Sequence, residues 1–284
     1  MTGTNQNFAR YEALCQNLRI ELIDLLHQKG TGHPGGSLSC CEILTVLYFL
    51  KANISPQNLK DPARDKIVLS KGHAAPMLYL LLAEKGFLPK EELKTLRQID
   101  SRLQGHPCAE KLPGVEISSG PLGLAYSAAL GLTLGDRLQG NNGSYVYAIL
   151  GDGELNEGII WETAMSASKF QADHLITIVD YNHVQLDGTT QQIMPMPELS
   201  QKWRAFGYHV ICCDGHQLEQ LCEAIDGAKQ HRGQPTVILA DTVKGKGVSF
   251  MEGQNIWHGK PIGEEEYQKA IAELRGDKDG TSNS

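Results

Sequence analysis

The segment "GDGELNEGIIWE", beginning at Gly151, follows directly on the apolar run "YVYAIL". A buried charge is costly to desolvate, so acids at the end of a buried strand call for a partner. One candidate partner is a hard divalent cation. The Asp152 carboxylate, the Asn182 amide oxygen in "YNHVQLDG" and the carbonyl of Val184 make an all-oxygen donor set of the kind magnesium takes, with phosphates completing its shell. Gly151 and Gly153 permit a tight bend and close backbone approach, and a following helix N-terminus favours an anion. A plain strand-to-helix turn capped by Asp152 accounts for the same residues without a metal.

Four histidines sit in loops that carry glycine or proline: His33 in "TGHPGG", His73 in "KGHAAP", His106 in "QGHP" and His258 in "WHGKP". Their shared setting predicts a polar pocket that handles hydroxyls and phosphates, because imidazole donates, accepts and shuttles protons near neutral pH. Zinc is the alternative, yet no short paired-ligand motif such as H-E-x-x-H occurs. Neither a G-x-G-x-x-G after the first strand nor a G-x-x-x-x-G-K-[ST] is present, which removes the dinucleotide fingerprint and the P-loop. "VKGKGVSF" combines Lys244 and Lys246 with glycines, and phosphate binding and a solvated loop explain it equally well.

Elements must bring these scattered loops together. "KIVLS", "YVYAIL", "HLITIVD", "YHVICCD" and "TVILADT" are short, β-branched and apolar along their length, the pattern of strands buried on both faces. Between and before them the spacing predicts helices over Phe8–Gln28, Ser39–Leu50, the stretch after "KGHAAP", "PKEELKTLRQI", "LAYSAALGLTLGDRL", Glu157–Phe170, Glu198–Phe206 and Leu218–Lys229. Ser39 with Glu42 three residues on reads as a capping box. Strands alternating with helices predict an α/β fold with a mostly parallel sheet, whose ligands collect beyond the carboxyl ends of the strands.

With 284 residues, 41% of them hydrophobic and 21% charged, the chain has the composition of a soluble globular protein. A net charge of -7 argues against nucleic acid as a partner. Seven scattered cysteines without a C-x-x-C pair point to reduced, structural thiols and a cytoplasmic location. No run is long enough to span a bilayer, the start lacks the basic and apolar segments of a signal peptide, and "GDKDGTSNS" reads as a frayed, polar tail.

Taken in order, "GHPGGSLS", "LSKGHA", "GHP", "SSGPLGLAYSAALG", "GDGELNEGIIWE", the Asp180-to-Gly188 segment and "TVKGKGVSFME…WHG" resemble the amino-terminal, pyrophosphate-binding region of transketolases. The likeness runs from about residue 10 to residue 262, and is specifically to the short, amino-terminal subunit of enzymes split into two chains. It implies the thiamine-diphosphate-binding α/β fold, a pyrophosphate-binding domain over residues 8–262, and a helical extension with a flexible tail over residues 263–284. Under it, Asp152, Asn182 and the Val184 carbonyl resemble magnesium ligands, and Gly151 and Gly153 belong to the turn against the diphosphate. His73 and His258 resemble the histidines that reach the diphosphate and reacting centre, and His33 and His106 those that contact sugar hydroxyls. Gly120 and Leu122 match the loop beside the aminopyrimidine.

Glu157 resembles a residue of a carboxylate network across the subunit interface, where close carboxylates share protons. A favourable acid in a first helical turn is its alternative. The sequence departs from the family at Lys71, where many relatives carry a small or amide residue, at Tyr181, where Asn is common, and between "KGKGVSF" and "WHG". Lys71 reads as a salt-bridging loop residue or a contact to substrate phosphate.

The resemblance further implies transfer of a two-carbon ketol unit from a ketose phosphate to an aldose. A separate second chain would carry the pyrimidine-binding domain with its activating glutamate, and the carboxy-terminal domain, giving an A2B2 assembly. Pentose-phosphate sugars and a specialised branched-sugar route both remain open as substrates. A split deoxyxylulose-phosphate synthase, a 2-oxoacid dehydrogenase first component and a non-catalytic cofactor-binding scaffold are the alternatives.

Overall fold

All five β-branched runs become strands. In the computed structural model, which describes residues 8–276, they are Lys66–Leu69 (β1), Val146–Gly151 (β2), Leu175–Tyr181 (β3), His209–Asp214 (β4) and Thr236–Asp241 (β5). They pair in the order β1-β2-β3-β5-β4, every pair parallel. Their continuous apolar character has a simple cause. In β2, Tyr147 and Ile149 enter one hydrophobic core while Val146, Ala148 and Leu150 enter the other. Side chains alternate across a strand, so a sheet covered on both faces needs apolar residues at every position.

The two covering layers are helical. Phe8–Lys29 (α1), Cys41–Val46 (α3), Ala75–Lys85 (α4), Leu218–Gln230 (α9) and Glu264–Arg275 (α10) contribute to one core. Leu124–Leu138 (α5), Gly158–Lys169 (α6) and Leu199–Ala205 (α8) contribute to the other. Helix α1 runs to Lys29, one residue beyond the expected boundary, and is followed by Gly30, whose φ of 62° suits glycine. Helix α10 falls in the segment expected as a helical extension, and the expected frayed tail lies outside the described residues from 277 onward.

Two expectations are corrected. The helix expected from Ser39 to Leu50 begins earlier: Pro34–Ser39 (α2) starts inside "GHPGG", with Pro34 in its first turn, and α3 passes into a π-helical turn over Leu47–Lys51. Ser39 caps nothing, because its hydroxyl donates to Asp180 at 2.6 Å, and Glu42 turns instead to Arg19. "PKEELKTLRQI" forms a 3-10 turn over Lys90–Thr95 rather than an α-helix. A short helix, Thr190–Ile193 (α7), follows the Asn182 loop with a capping box at Thr189 and Gln192. All seven cysteines are free thiols, and no described helix is long and apolar enough to cross a membrane.

Candidate functional site

Because the sheet is parallel, the carboxyl ends of its strands lie on one edge, and four of them deliver the polar loops there. β1 leads into Ser70-Lys71-Gly72-His73, β2 into Asp152, β3 into Asn182 and β5 into Thr242-Val243-Lys244. Gly151 pairs with Asp180 in register, which brings the β2 and β3 loops together across the thirty residues expected to separate them. The Asp152 carboxylate accepts from His183 N at 2.5 Å and from Gly153 N at 2.8 Å. His183 takes a left-handed φ of 64° in this turn.

Beneath these loops lies a fully buried ion pair. Asp180 accepts from Lys71 Nζ, from Ser39 Oγ at 2.6 Å, from Thr242 Oγ1 and from Asn182 Nδ2 at 3.3 Å. Lys71 Nζ also donates to the Gly36 carbonyl at 2.9 Å, which ties in the "GHPGG" segment. Burial would lower the Lys71 pKa and raise that of Asp180, but each partner outweighs it, leaving Lys71 raised and Asp180 lowered. Lys71 therefore forms the salt bridge that was one of its two expected roles, and it also lines the cavity described below. It orients the Asn182 loop at one remove: Asp180 engages the Asn182 amide nitrogen and so turns Oδ1 away, where among the described residues it accepts from Val184 N at 3.2 Å.

Asp152 makes no ion pair among the described residues. Burial, then repulsion from Asp180, pushes its pKa up to about 6. Asp152, Asn182 and Val184 line one cavity of ≈ 270 Å³ together with Gly151, Gly153, Gly120, Leu122 and all four loop histidines. The four histidines expected to share a pocket do lie around one cavity. The rings of His33 lie 5.7 Å from His73, 6.2 Å from His106 and 5.4 Å from His258, with His73 and His258 4.9 Å apart.

Electrostatics keep the histidine cluster neutral. Burial first, then neighbouring positive charge, lowers His33 to about 4 and His258 to about 3. His73 is held well below its ordinary range by burial and Lys71, and His106 is lowered by partial burial and Arg97. Such a cluster offers hydrogen bonds to oxygen without adding charge.

Three residues at the site went unassigned in the sequence. Lys244 is buried and donates to the Val184 carbonyl at 3.2 Å, the Gln185 carbonyl at 3.2 Å and His258 Nδ1 at 3.3 Å. Burial, then Lys71, lowers its pKa to about 8. "VKGKG" carried that signal. Glu154 is buried and accepts from Ser70 Oγ, from Gly123 N at 2.8 Å and from Gly151 N at 3.0 Å, pinning the Gly120 loop to the turn after β2. Its place among the acids of "GDGELNE" was visible, its role was not. Arg97, beside His33, had no sequence signal at all.

Glu157 stands apart. It is exposed at the start of α6 and does not line the cavity, and no carboxylate network surrounds it within the described residues. A larger open cleft of ≈ 1070 Å³ at the ends of β4 and β5 contains none of the expected site residues.

The donor set fits a hard cation and an anionic ligand. Asp152, Asn182 and Val184 present only oxygen, and each keeps a lone pair beyond the hydrogen bonds given above. Gly153 faces the cavity where a Cβ would meet Gln185 at 3.0 Å, and Gln185 Nε2 is buried there with no partner among the described residues.

The frame is an α/β fold, a parallel sheet covered by helices with its polar loops gathered at the carboxyl edge, and residues 11–279 match the family described as "Transketolase, thiamine diphosphate binding domain". The 6-deoxy-6-sulfo-D-fructose transketolase subunit SqwG of Clostridium sp. (strain MSTE9) is 45% identical over 90% of this chain and 93% of its own length. One subunit of the apulose-4-phosphate transketolase of Actinobacillus succinogenes is 38% identical over 97% of this chain and 99% of its own. Human transketolase is 39% identical over 90% of this chain, which spans only 41% of that longer protein. The solved transketolase of Leishmania mexicana superposes with a TM-score of 0.86 at 32% identity, over 93% of this chain and 41% of its own. The chain belongs to the transketolase family, as an enzyme chain of the amino-terminal subunit type.

Proposed function

We propose that the chain is the amino-terminal subunit of a two-chain, magnesium- and thiamine-diphosphate-dependent transketolase, active when a separate second chain completes the site. The observation that carries this reading is the meeting of Asp152 with the Asn182 loop at the floor of a cavity walled by four neutral histidines. Thiamine diphosphate supplies the nucleophilic carbon and the electron sink for carbon–carbon cleavage.

The chain's own residues do the rest. Asp152, Asn182 and the Val184 carbonyl hold magnesium, whose charge answers the uncompensated Asp152 carboxylate. Gly151 and Gly153 bring the backbone against the diphosphate, with Lys244 and Gln185 beside it. Gly120 and Leu122 form the wall toward the aminopyrimidine. His33 and His106 hydrogen-bond sugar hydroxyls, while His73 and His258 stand nearest the reacting centre and stabilise developing negative charge on oxygen. Glu157, exposed at the start of α6, would meet a carboxylate from another chain, and its proton sharing would form only on assembly.

Two similarities support a separate partner. The relatives that this chain spans almost end to end are named as subunits, and it matches about two fifths of the longer human transketolase. The assembly we propose is A2B2, two copies of this chain with two of the other. Those two relatives are named for a sulfonated fructose and for apulose 4-phosphate, so a ketose bearing a terminal anionic group is the donor class.

The decisive experiment mixes the purified chain with candidate second chains and follows ketol transfer from a panel of phosphorylated and sulfonated ketoses. Transfer that requires both chains, magnesium and thiamine diphosphate is the expected result. Full turnover by the purified chain alone overturns the reading.

A further inference from the structure

We propose that Arg97 fixes His33 as its Nε2–H tautomer, making this histidine a hydrogen-bond donor into the cavity and barring it from accepting a proton there. Arg97 Nη1 donates to Thr31 Oγ1 at 3.0 Å, and Nη2 lies 3.4 Å from His33 Nδ1. A guanidinium has five donors and no acceptor, so Nδ1 must supply the lone pair. In a neutral imidazole the other nitrogen then carries the proton. His33 lines the cavity, and its Nε2 makes no hydrogen bond to another described residue.

Arg97 is held in place by its own loop. Its backbone is left-handed, with φ of 59°, and its N–H donates to the Leu103 carbonyl at 2.9 Å. The guanidinium packs under Gly105, where a Cβ would come within 3.2 Å of it, and its Nε is buried with no partner among the described residues. A non-glycine residue in this conformation is strained, and the strain persists while delivering one fork of the side chain to His33. Nearby positive charge and burial also keep His33 neutral, near 4 in pKa, so a single proton and a single tautomer prevail at pH 7.

This inference deepens the proposed ketol transfer and rests on it for its catalytic meaning. A sugar oxygen that meets His33 receives a hydrogen bond, and stabilisation grows as negative charge develops on that oxygen. Proton acceptance falls to another group. Arg97 is thus a positioning residue.

Long-range proton–nitrogen correlation spectra of the full chain, labelled with 15N-histidine at pH 7.5 and assigned with His33→Gln, test the idea. Wild type and Arg97→Lys should show an acceptor-type Nδ1 and a protonated Nε2 at His33. Arg97→Met should shift His33 toward a tautomer mixture, and Thr31→Val, which frees the other fork, should do so partially. A wild-type His33 that carries its proton on Nδ1, or an Arg97→Met spectrum with unchanged tautomer, overturns the proposal. In the two-chain enzyme Arg97→Met should lower kcat/KM about tenfold, the value of one good hydrogen bond, with Arg97→Lys restoring most of it. The spectra need neither cofactor nor partner, so failed ketol transfer and a failed tautomer assignment are separate results.

Discussion

At Lys71 and Asp180 two opposite charges sit in the interior, and their energetics differ from those of the surface pairs elsewhere. Removing one partner strands the other without water. Lys71→Met should cost about 3–5 kcal/mol in urea unfolding, and Lys71→Met with Asp180→Leu should recover much of that loss. At Asp152 the expectation is functional: Asp152→Ala should weaken magnesium-dependent thiamine diphosphate binding about 10–100-fold or more, measured by calorimetry on the assembled enzyme. The histidines set a pH trend. His33 and His258 titrate at about 4 and about 3 in the folded chain against an ordinary 6.5. Between pH 6.5 and 4 the unfolded chain therefore binds more protons, so their contribution is intact above 6.5 and is lost on acidification. Asp152, raised to about 6, acts in the opposite sense below neutrality. Urea midpoints at pH 7 and pH 5 should accordingly differ less in the double variant His33→Gln, His258→Gln than in wild type.

At the scale of elements, strands and long helices were legible because periodicity reports burial directly. Caps were not. Ser39 and Glu42 have capping-box spacing, but Asp180, 141 residues away, takes the hydroxyl, and Arg19 takes the carboxylate at 2.6 Å. Local motifs lose when a buried charge offers a stronger partner. The turn into α5 gives an element-scale test. Gly123 has φ of 83°, and a Cβ there would stand 2.5 Å from Ile159 Cγ2. Gly123→Ala should destabilise the chain by about 1–3 kcal/mol in thermal or urea unfolding, through strain and overpacking. Because Gly123 N also holds Glu154, the same change should loosen the Gly120–Leu122 wall.

For the whole molecule, the sheet order decides what meets what. β1, β2, β3 and β5 are consecutive neighbours, so loops from four distant parts of the chain open into one cavity. Sedimentation of the chain with and without its complementary chain should show a larger species only in the mixture, and an oligomer of this chain alone with full activity would contradict the two-chain reading. The sequence by itself determined the sheet, the loop motifs and the set of histidines and oxygen donors, because these follow from local spacing and residue chemistry. Only the tertiary structure decided that Lys71 neutralises Asp180, that Lys244 and Arg97 face His258 and His33, and that Glu157 faces outward. Those outcomes depend on distances between residues far apart in the chain, where charge and burial set a role that residue type alone leaves open.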